Sequence, residues 1–245
     1  MQIDVFFGVD ALAAADTAGR SVAVIDVLRA STSIAAALLH GAHTIIPLHG
    51  TDEVITRAKT YERGDVVMAG ERRMLPVPGF DVGNSPHEFT PEVVRGKIVL
   101  FSTTNGTRTL LAIQGARETV VVSYGNFTAS VNVLRAALER GDSVSVVCSG
   151  SERHFSLEDA ACAGRIVRFL HSAVPQALLN DAAHAAERIE QGYADNLRAL
   201  FKECSHGRAL AAAGFERDLD TCARLDAFPV VALYEDHRIR RKEEG

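Results

Sequence analysis

Val24-Ile25-Asp26-Val27-Leu28-Arg29-Ala30-Ser31-Thr32-Ser33-Ile34 decides the fold of this chain. An apolar run stops at a carboxylate, a polar stretch with one arginine and three hydroxyls follows, and an apolar helix opens at Ile34. Strand, polar loop and helix start make an anion site. The free N–H groups and the positive end of the helix dipole favour a phosphate or carboxylate there. Asp26 opposes such an anion unless a cation lies between them, so the stretch predicts a metal ion and a phosphate sharing one site.

Outward from this stretch, strands and helices alternate. On the N-terminal side, Ile3–Phe7 reads as a strand, Ala11–Ala18 as a helix closed by Gly19, and Val22–Asp26 as the strand that leads into the loop. On the C-terminal side the helix from Ile34 is apolar on every face, hence buried, and ends at Gly41. A strand at Thr44–Pro47, a helix from a Thr51 cap to about Arg63 and a short strand at Val66–Met68 follow. Gly70–Pro86 then lacks any period, is rich in proline and glycine, and carries Glu71, Arg72, Arg73 and Asp81; it reads as a long functional loop.

From Ile98–Phe101 the opening plan returns: a hydroxyl-rich loop, Ser102-Thr103-Thr104-Asn105-Gly106-Thr107, then a helix from Arg108. Gly41-Ala42 and Gly115-Ala116 close the two helices at a spacing of 74 residues (115 − 41). That register predicts a repeated strand–loop–helix–strand unit and sets Asp26 against Leu100. Beyond it lie a strand at Thr119–Ser123, a helix from Asn126 to Arg140, a strand at Ser143–Cys148 and a helix opened by Ser156-Leu157-Glu158-Asp159 as a capping box. Helices at Asp181–Glu203, Ser205–Ala213 and Asp218–Asp226 and a last strand at Phe228–Tyr234 complete the chain. The pattern predicts an α/β fold: a largely parallel or mixed sheet with helices on both faces, three layers, one domain over 1–245 that divides into similar lobes at 1–95 and 96–245. Ligands of such sheets sit beyond the carboxyl ends of strands. Asp26, Thr103–Thr107 and Cys148-Ser149-Gly150 all fall at strand ends, so they are expected to line one crevice.

Composition narrows the classes. The net charge is −5, and the one basic cluster, Arg238, Arg240, Arg241 and Lys242, is flanked by acids and reads as a solvated tail, so no nucleic-acid partner is expected. No apolar run is long enough for a bilayer, and Met1-Gln2-Ile3-Asp4 opens without the features of a signal peptide. The four cysteines form no Cys-x-x-Cys pair, which points to free thiols in a reducing cytoplasm. An apolar-rich α/β chain is compatible with a homodimer.

Each motif carries a plain reading beside its chemical one. Asp26 is a helix cap or a ligand. A dehalogenase-type aspartyl nucleophile wants a second Asp two residues on, where this chain has Leu28. Thr103–Thr107 lacks the lysine and spacing of an NTPase loop and is either a phosphate cradle or a hydroxyl-rich turn. Cys148 to Arg153 falls one residue short of the cysteine-phosphatase spacing, so Cys148 reads as a buried thiol. Glu158 and Asp159 sit where a helix dipole alone favours acids. Arg208 is a phosphate or sulfonate ligand or a surface residue, and Asp218, Asp220 and Asp226 read as capping and surface acids.

Six segments in order add a resemblance: Asp26–Thr32, Gly70-Glu71-Arg72, Gly79–Pro86, Thr103–Thr107, Ser156–Asp159 with Cys162-Ala163-Gly164, and His206-Gly207-Arg208. From the first strand to about residue 230 the chain resembles the 2-phosphosulfolactate phosphatases. The resemblance implies an α/β fold of its own kind and a Mg²⁺-dependent phosphatase that turns 2-phosphosulfolactate into sulfolactate, a step of coenzyme M synthesis. On this reading Asp26 and Arg29 are catalytic, and Asp26, Glu71, Asp81 and Glu158 are the candidate metal ligands, since Mg²⁺ takes hard oxygen donors. Ser31, Thr32, Ser33, Thr103, Thr104, Asn105, Gly106 and Thr107 are the candidates for the phosphoryl oxygens, and Arg72, Asn84, Ser85 and Arg208 for the remaining anionic groups. Attack by Asp26 instead of water is the mechanistic alternative. A non-catalytic module that senses a phosphorylated small acid is the functional one.

Overall fold

The computed structural model describes residues 1–10, 12–194 and 196–243. β1 (Gln2–Phe6) is followed by a single 3₁₀ turn at Ala14–Asp16, where a helix over Ala11–Ala18 was expected; Ala11 lies outside the described residues. The Asp16 carboxylate accepts from Ala13 N, and the Thr17 hydroxyl donates to Gln114 O. Such side-chain bonds to backbone compete with helix propagation.

β2 (Ser21–Ile25) leads to α1 (Ala30–Leu39), which starts four residues earlier than Ile34. The reason is local: Ala30 N donates to Asp26 Oδ1 at 3.2 Å, and Asp26 N donates to Ser31 Oγ at 2.9 Å. The hydroxyls expected in a loop therefore lie in the first helical turn.

β3 (Thr44–Pro47) and α2 (Thr51–Ala58) come next, the helix ending short of Arg63 with Gly50, not Thr51, at its cap. β4 (Val66–Arg72) runs into the segment expected to be irregular and folds back on β5 (Leu75–Pro76). After α3 (Pro91–Val94) come β6 (Ile98–Ser102), α4 (Gly106–Ala112), β7 (Glu118–Val122), α5 (Phe127–Glu139), β8 (Val144–Cys148) and α6 (Leu157–Ala173). β9 (Leu178–Leu179) precedes α7 (Asp181–Tyr193) and α8 (Leu197–Glu203). These replace the single helix expected over Asp181–Glu203, whose Asp195 is outside the described residues; Asn196 accepts from Ala199 N and caps a new helix. α9 (Ser205–Ala212), α10 (Glu216–Cys222) and the hairpin β10 (Ala232–Glu235) with β11 (Arg238–Arg241) complete the fold. The basic segment read as a solvated tail is thus a strand: Ile239 is buried opposite Ile45 while the arginines beside it stay exposed.

Among the described residues eleven strands form one mixed sheet, ordered β5-β4-β6-β3-β11-β10-β7-β2-β8-β1-β9. The pairs β4–β6–β3 and β7–β2–β8–β1–β9 are parallel; the β10–β11 hairpin joins these two blocks through antiparallel pairs. Strand alternation divides the core between two layers of helices. Ala23, Ile25, Val120, Val122, Val144 and Val146 pack with α5, α6 and α8, whereas Val22, Val24, Val121 and Val147 face α1. Among the described residues no helix is long and apolar enough to cross a membrane.

The expected repeat register slips by three residues. Asp26 is the first residue after β2, and its counterpart after β6 is Thr103, at a spacing of 77 (103 − 26). Leu100, its partner on the shorter spacing, is buried inside β6 against the α2 layer.

Candidate active site

The neighbouring strands β2 and β8 end together, and the carboxyl end of β6, which belongs to the other parallel block, approaches them: a Cβ on Gly106 would meet Asp26 and Ala30. Asp26, Thr103 and Ser149 directly follow β2, β6 and β8, and Ser149 N donates to Ile25 O at 2.8 Å. Together with the β4–β5 turn and α9 they surround a cavity of about 400 Å³, lined by Asp26, Arg29, Glu71, Asn84, Thr103, Thr104 and Asn105 and by Leu28, Arg73, Met74, Ser151, Glu152, Ser205, His206 and Ala209. The crevice expected from the strand ends brings Asp26 and Thr103–Asn105 together, but Gly106, Thr107 and the Cys148-Ser149-Gly150 stretch do not line it, and Ser149 faces a separate cavity with Phe7 and Arg153.

Asp26 serves as both cap and pocket wall. Its Oδ1 caps α1 through Ala30 N, and a Cβ on Gly106 would come within 2.8 Å of its Oδ2, so glycine is required for α4 to start there. Burial pushes the Asp26 carboxyl up from 3.8 to about 6; the His206 charge and the Ala30 N–H pull it down, and the charges of Glu71 and Glu158 add to the rise. Glu71 is the penultimate residue of β4, with Oε1 accepting from Thr104 N at 2.8 Å and Oε2 from Met74 N at 2.9 Å. Its carboxylate therefore ties the Thr103–Thr107 loop to the β4–β5 turn.

Arg29 lies in a frame of its own. It donates to Asp218 Oδ2 at 2.6 Å and to Met74 O at 2.7 Å, and its guanidinium lies 4.2 Å from the Phe215 ring centre. The second Asp218 oxygen accepts from Ser85 Oγ at 2.6 Å. Asp218, read from sequence as an ordinary acid, is the buried partner that orients Arg29.

Other expected site residues lie elsewhere. The Ser31, Thr32 and Ser33 hydroxyls face Asp26 N, Val27 O and Asn84 O and do not line the cavity. Asp81 is bound by Arg63 and Met68 N outside the cavity; burial raises its carboxyl, but these bonds outweigh it and hold the group below its usual range. Arg72 points to Ser102, donating to its carbonyl and its hydroxyl. Arg208 binds Glu203 O and Ser205 Oγ on the surface. Thr107 closes its own loop onto Thr103, and Ser85 reaches the site only through Asp218. Asn84 does line the cavity, and its buried Oδ1 has no partner among the described residues.

Glu158 is buried behind the cavity wall and pairs with His206 Nδ1 at 3.4 Å. Burial opposes both charges, but the pairing outweighs it: Glu158 is held below its usual range and His206 above. The neighbouring Asp159, expected to close a capping box, accepts from Val27 N and Gly150 N and clamps the loops after β2 and β8 together. Among the described residues no group of three or more His, Cys, Asp or Glu side chains forms an ion-binding cage. Cys148 is fully buried and its thiol is pushed well up by burial, so the cavity holds no cysteine nucleophile.

His206, Arg73 and Asp218 are the functional candidates that the sequence reading passed over. His206 shares the His206-Gly207-Arg208 motif with Arg208, the residue of that motif expected to bind an anion. β4 extends past the expected Val66–Met68 to Arg72, so alternation puts Glu71 and Arg72 on opposite faces.

Comparison with known proteins bears on this geometry. Residues 8–237 match the family model described as 2-phosphosulpholactate phosphatase. The chain is 42% identical over 211 residues to a protein of Synechococcus sp. (84% of this chain, 85% of the relative). It is 36% identical over 212 residues to one from Thermotoga maritima (86% and 88%) and 34% identical over 229 residues to one from Caldanaerobacter subterraneus (94% and 93%). Each of these relatives is named a probable 2-phosphosulfolactate phosphatase.

Proposed function

Because this chain belongs to the 2-phosphosulpholactate phosphatase family and is thereby a phosphoric monoester hydrolase, we propose that the Asp26 cavity hydrolyses 2-phosphosulfolactate to sulfolactate and phosphate. The observation that carries this reading is the convergence of the Asp26 and Glu71 carboxylates, the framed Arg29 and the Thr103–Asn105 loop on one cavity at the strand ends. A sensor would need no buried carboxylate facing its anion, and the family is one of enzymes.

The donor set fits Mg²⁺. This ion needs only one or two carboxylates and takes its remaining ligands from water and substrate phosphate, which agrees with the Asp26 and Glu71 carboxylates on the cavity wall and, among the described residues, no cage of three such groups. Like charges pressing on Asp26 are the imbalance a cation relieves. Asp26 and Glu71 would hold the ion, which supplies charge neutralisation at the phosphoryl group and alignment of water. Glu158, committed to His206, is not needed as a ligand.

The chain's own groups do the positioning. Arg29, held by Asp218, presents its guanidinium to phosphoryl oxygens without searching rotamers. Thr103, Thr104 and Asn105 contribute loop donors, and the charge on His206, supported by Glu158, offsets the negative charge that gathers in the transition state. Four free, buried cysteines support a reducing, cytoplasmic setting. The test is phosphate release from 2-phosphosulfolactate with and without Mg²⁺: activity is expected to vanish in excess chelator and return with Mg²⁺. Full activity in chelator would remove the ion from the reading.

A further inference from the structure

Three cationic side chains line the cavity: Arg29, Arg73 and His206. Arg29 is committed to Asp218 and His206 to Glu158. Among the described residues no hydrogen bond or ion pair engages the Arg73 guanidinium.

The place of Arg73 is built by the fold. Register pairs Glu71 with Pro76 and Arg72 with Leu75, which leaves Arg73-Met74 as a two-residue turn. Both residues are left-handed, with φ of 51° and 71°. Turns of this kind favour Asn and Gly, so a long cationic side chain there runs against local preference. The turn is also anchored to the phosphoryl end of the site: Met74 N donates to Glu71, and Met74 O accepts from Arg29. Arg72 leaves on the far face toward Ser102, and the turn carries Arg73 round to the cavity. The cavity's third carboxylate, Glu152, belongs to the Asn105 end, where its amide donates to Asn105 Oδ1. A second anion is repelled there and attracted at the turn.

We propose that Arg73 determines specificity by taking the acidic group of the substrate that is not the phosphoryl group, a carboxylate or sulfonate. This rests on the phosphatase reading of the same cavity. The planar fork of arginine matches two oxygens of either group, and a charge-assisted pair of this kind discriminates far more strongly than a neutral contact.

The test compares wild type with Arg73→Gln on three esters: 2-phosphosulfolactate, 2-phospholactate, which lacks the sulfonate, and isopropyl phosphate, which lacks both acids. Arg73→Gln is expected to raise KM for 2-phosphosulfolactate roughly ten- to a hundredfold while leaving kcat/KM on isopropyl phosphate unchanged. An equal loss on 2-phospholactate assigns the carboxylate; no loss on it assigns the sulfonate. Unchanged KM on 2-phosphosulfolactate, or an equal loss on isopropyl phosphate, overturns the proposal. Calorimetry with sulfolactate alone separates this from the reaction itself. Tighter binding by wild type than by Arg73→Gln supports the clamp even if no ester is turned over, and equal binding overturns it even if all are.

Discussion

Replacing Asp218 with alanine tests whether the frame around Arg29 is what orients the site. The pair is buried on both sides, with side-chain exposures of 2% and 4%. Loss of Asp218 strands a guanidinium whose remaining partners are the Met74 carbonyl and the Phe215 ring, and it leaves the Ser85 hydroxyl without its acceptor. Breaking a buried ion pair costs about 3–5 kcal/mol; because two contacts survive, about 3 kcal/mol is expected. For a chain of this length each kcal/mol moves Tm by about 2–4 °C, so Tm should fall by about 6–12 °C. Removing both charges in Arg29→Met/Asp218→Leu should restore most of that stability, since an apolar pair of similar volume replaces a buried ion pair at little cost. It should not restore turnover. Urea unfolding followed by circular dichroism and initial rates of phosphate release give the two readouts. A loss below about 1 kcal/mol in Asp218→Ala, or turnover in the double variant, would refute the role given to this frame.

Two further outcomes follow from the buried groups. Cys148, Cys162 and Cys222 are fully buried and their thiols are pushed up by burial, so iodoacetamide at neutral pH should leave phosphate release intact, and inactivation matched to modification of one thiol would contradict this. The Asp26 carboxyl, raised by burial from 3.8 to about 6, favours its neutral form in the folded, metal-free protein. That contribution is complete below about pH 4 and is lost as pH rises through about 6, so Asp26→Asn should flatten the fall in stability over this window and add up to about 3 kcal/mol at pH 7. Equal slopes in the two proteins by urea unfolding would show that Asp26 does not carry the buried charge.

The layers and the place of the site were legible because they rest on local signals. Apolar runs ended at Asp26, Ser102 and Cys148, and such ends are where α/β sheets bind ligands. What the sequence hid depends on contacts far along the chain. Asp218 looks like any acid in a first helical turn until α10 is folded 189 residues away against Arg29. Ser31 to Ser33 looked like loop hydroxyls because the apolar run begins only at Ile34; the Asp26 side chain, capping Ala30 N, starts α1 ahead of them. Arg238–Arg241 looked like a tail because its apolar content is the single buried Ile239, too little for a strand period to register. The proline- and glycine-rich look of residues 70–86 concealed a hairpin whose turn carries two left-handed residues that composition would not place there.

The central claim is that Asp26 sits at the reacting centre of a phosphatase. It is tested most directly by phosphate release from 2-phosphosulfolactate with Mg²⁺, wild type against Asp26→Asn, both shown folded by cooperative unfolding. Asparagine keeps the size of the side chain and removes its charge. Turnover is expected to fall about a thousandfold or more, the scale of losing one preorganised charged group at the reacting centre. Turnover near the wild-type rate in a folded Asp26→Asn protein would contradict it.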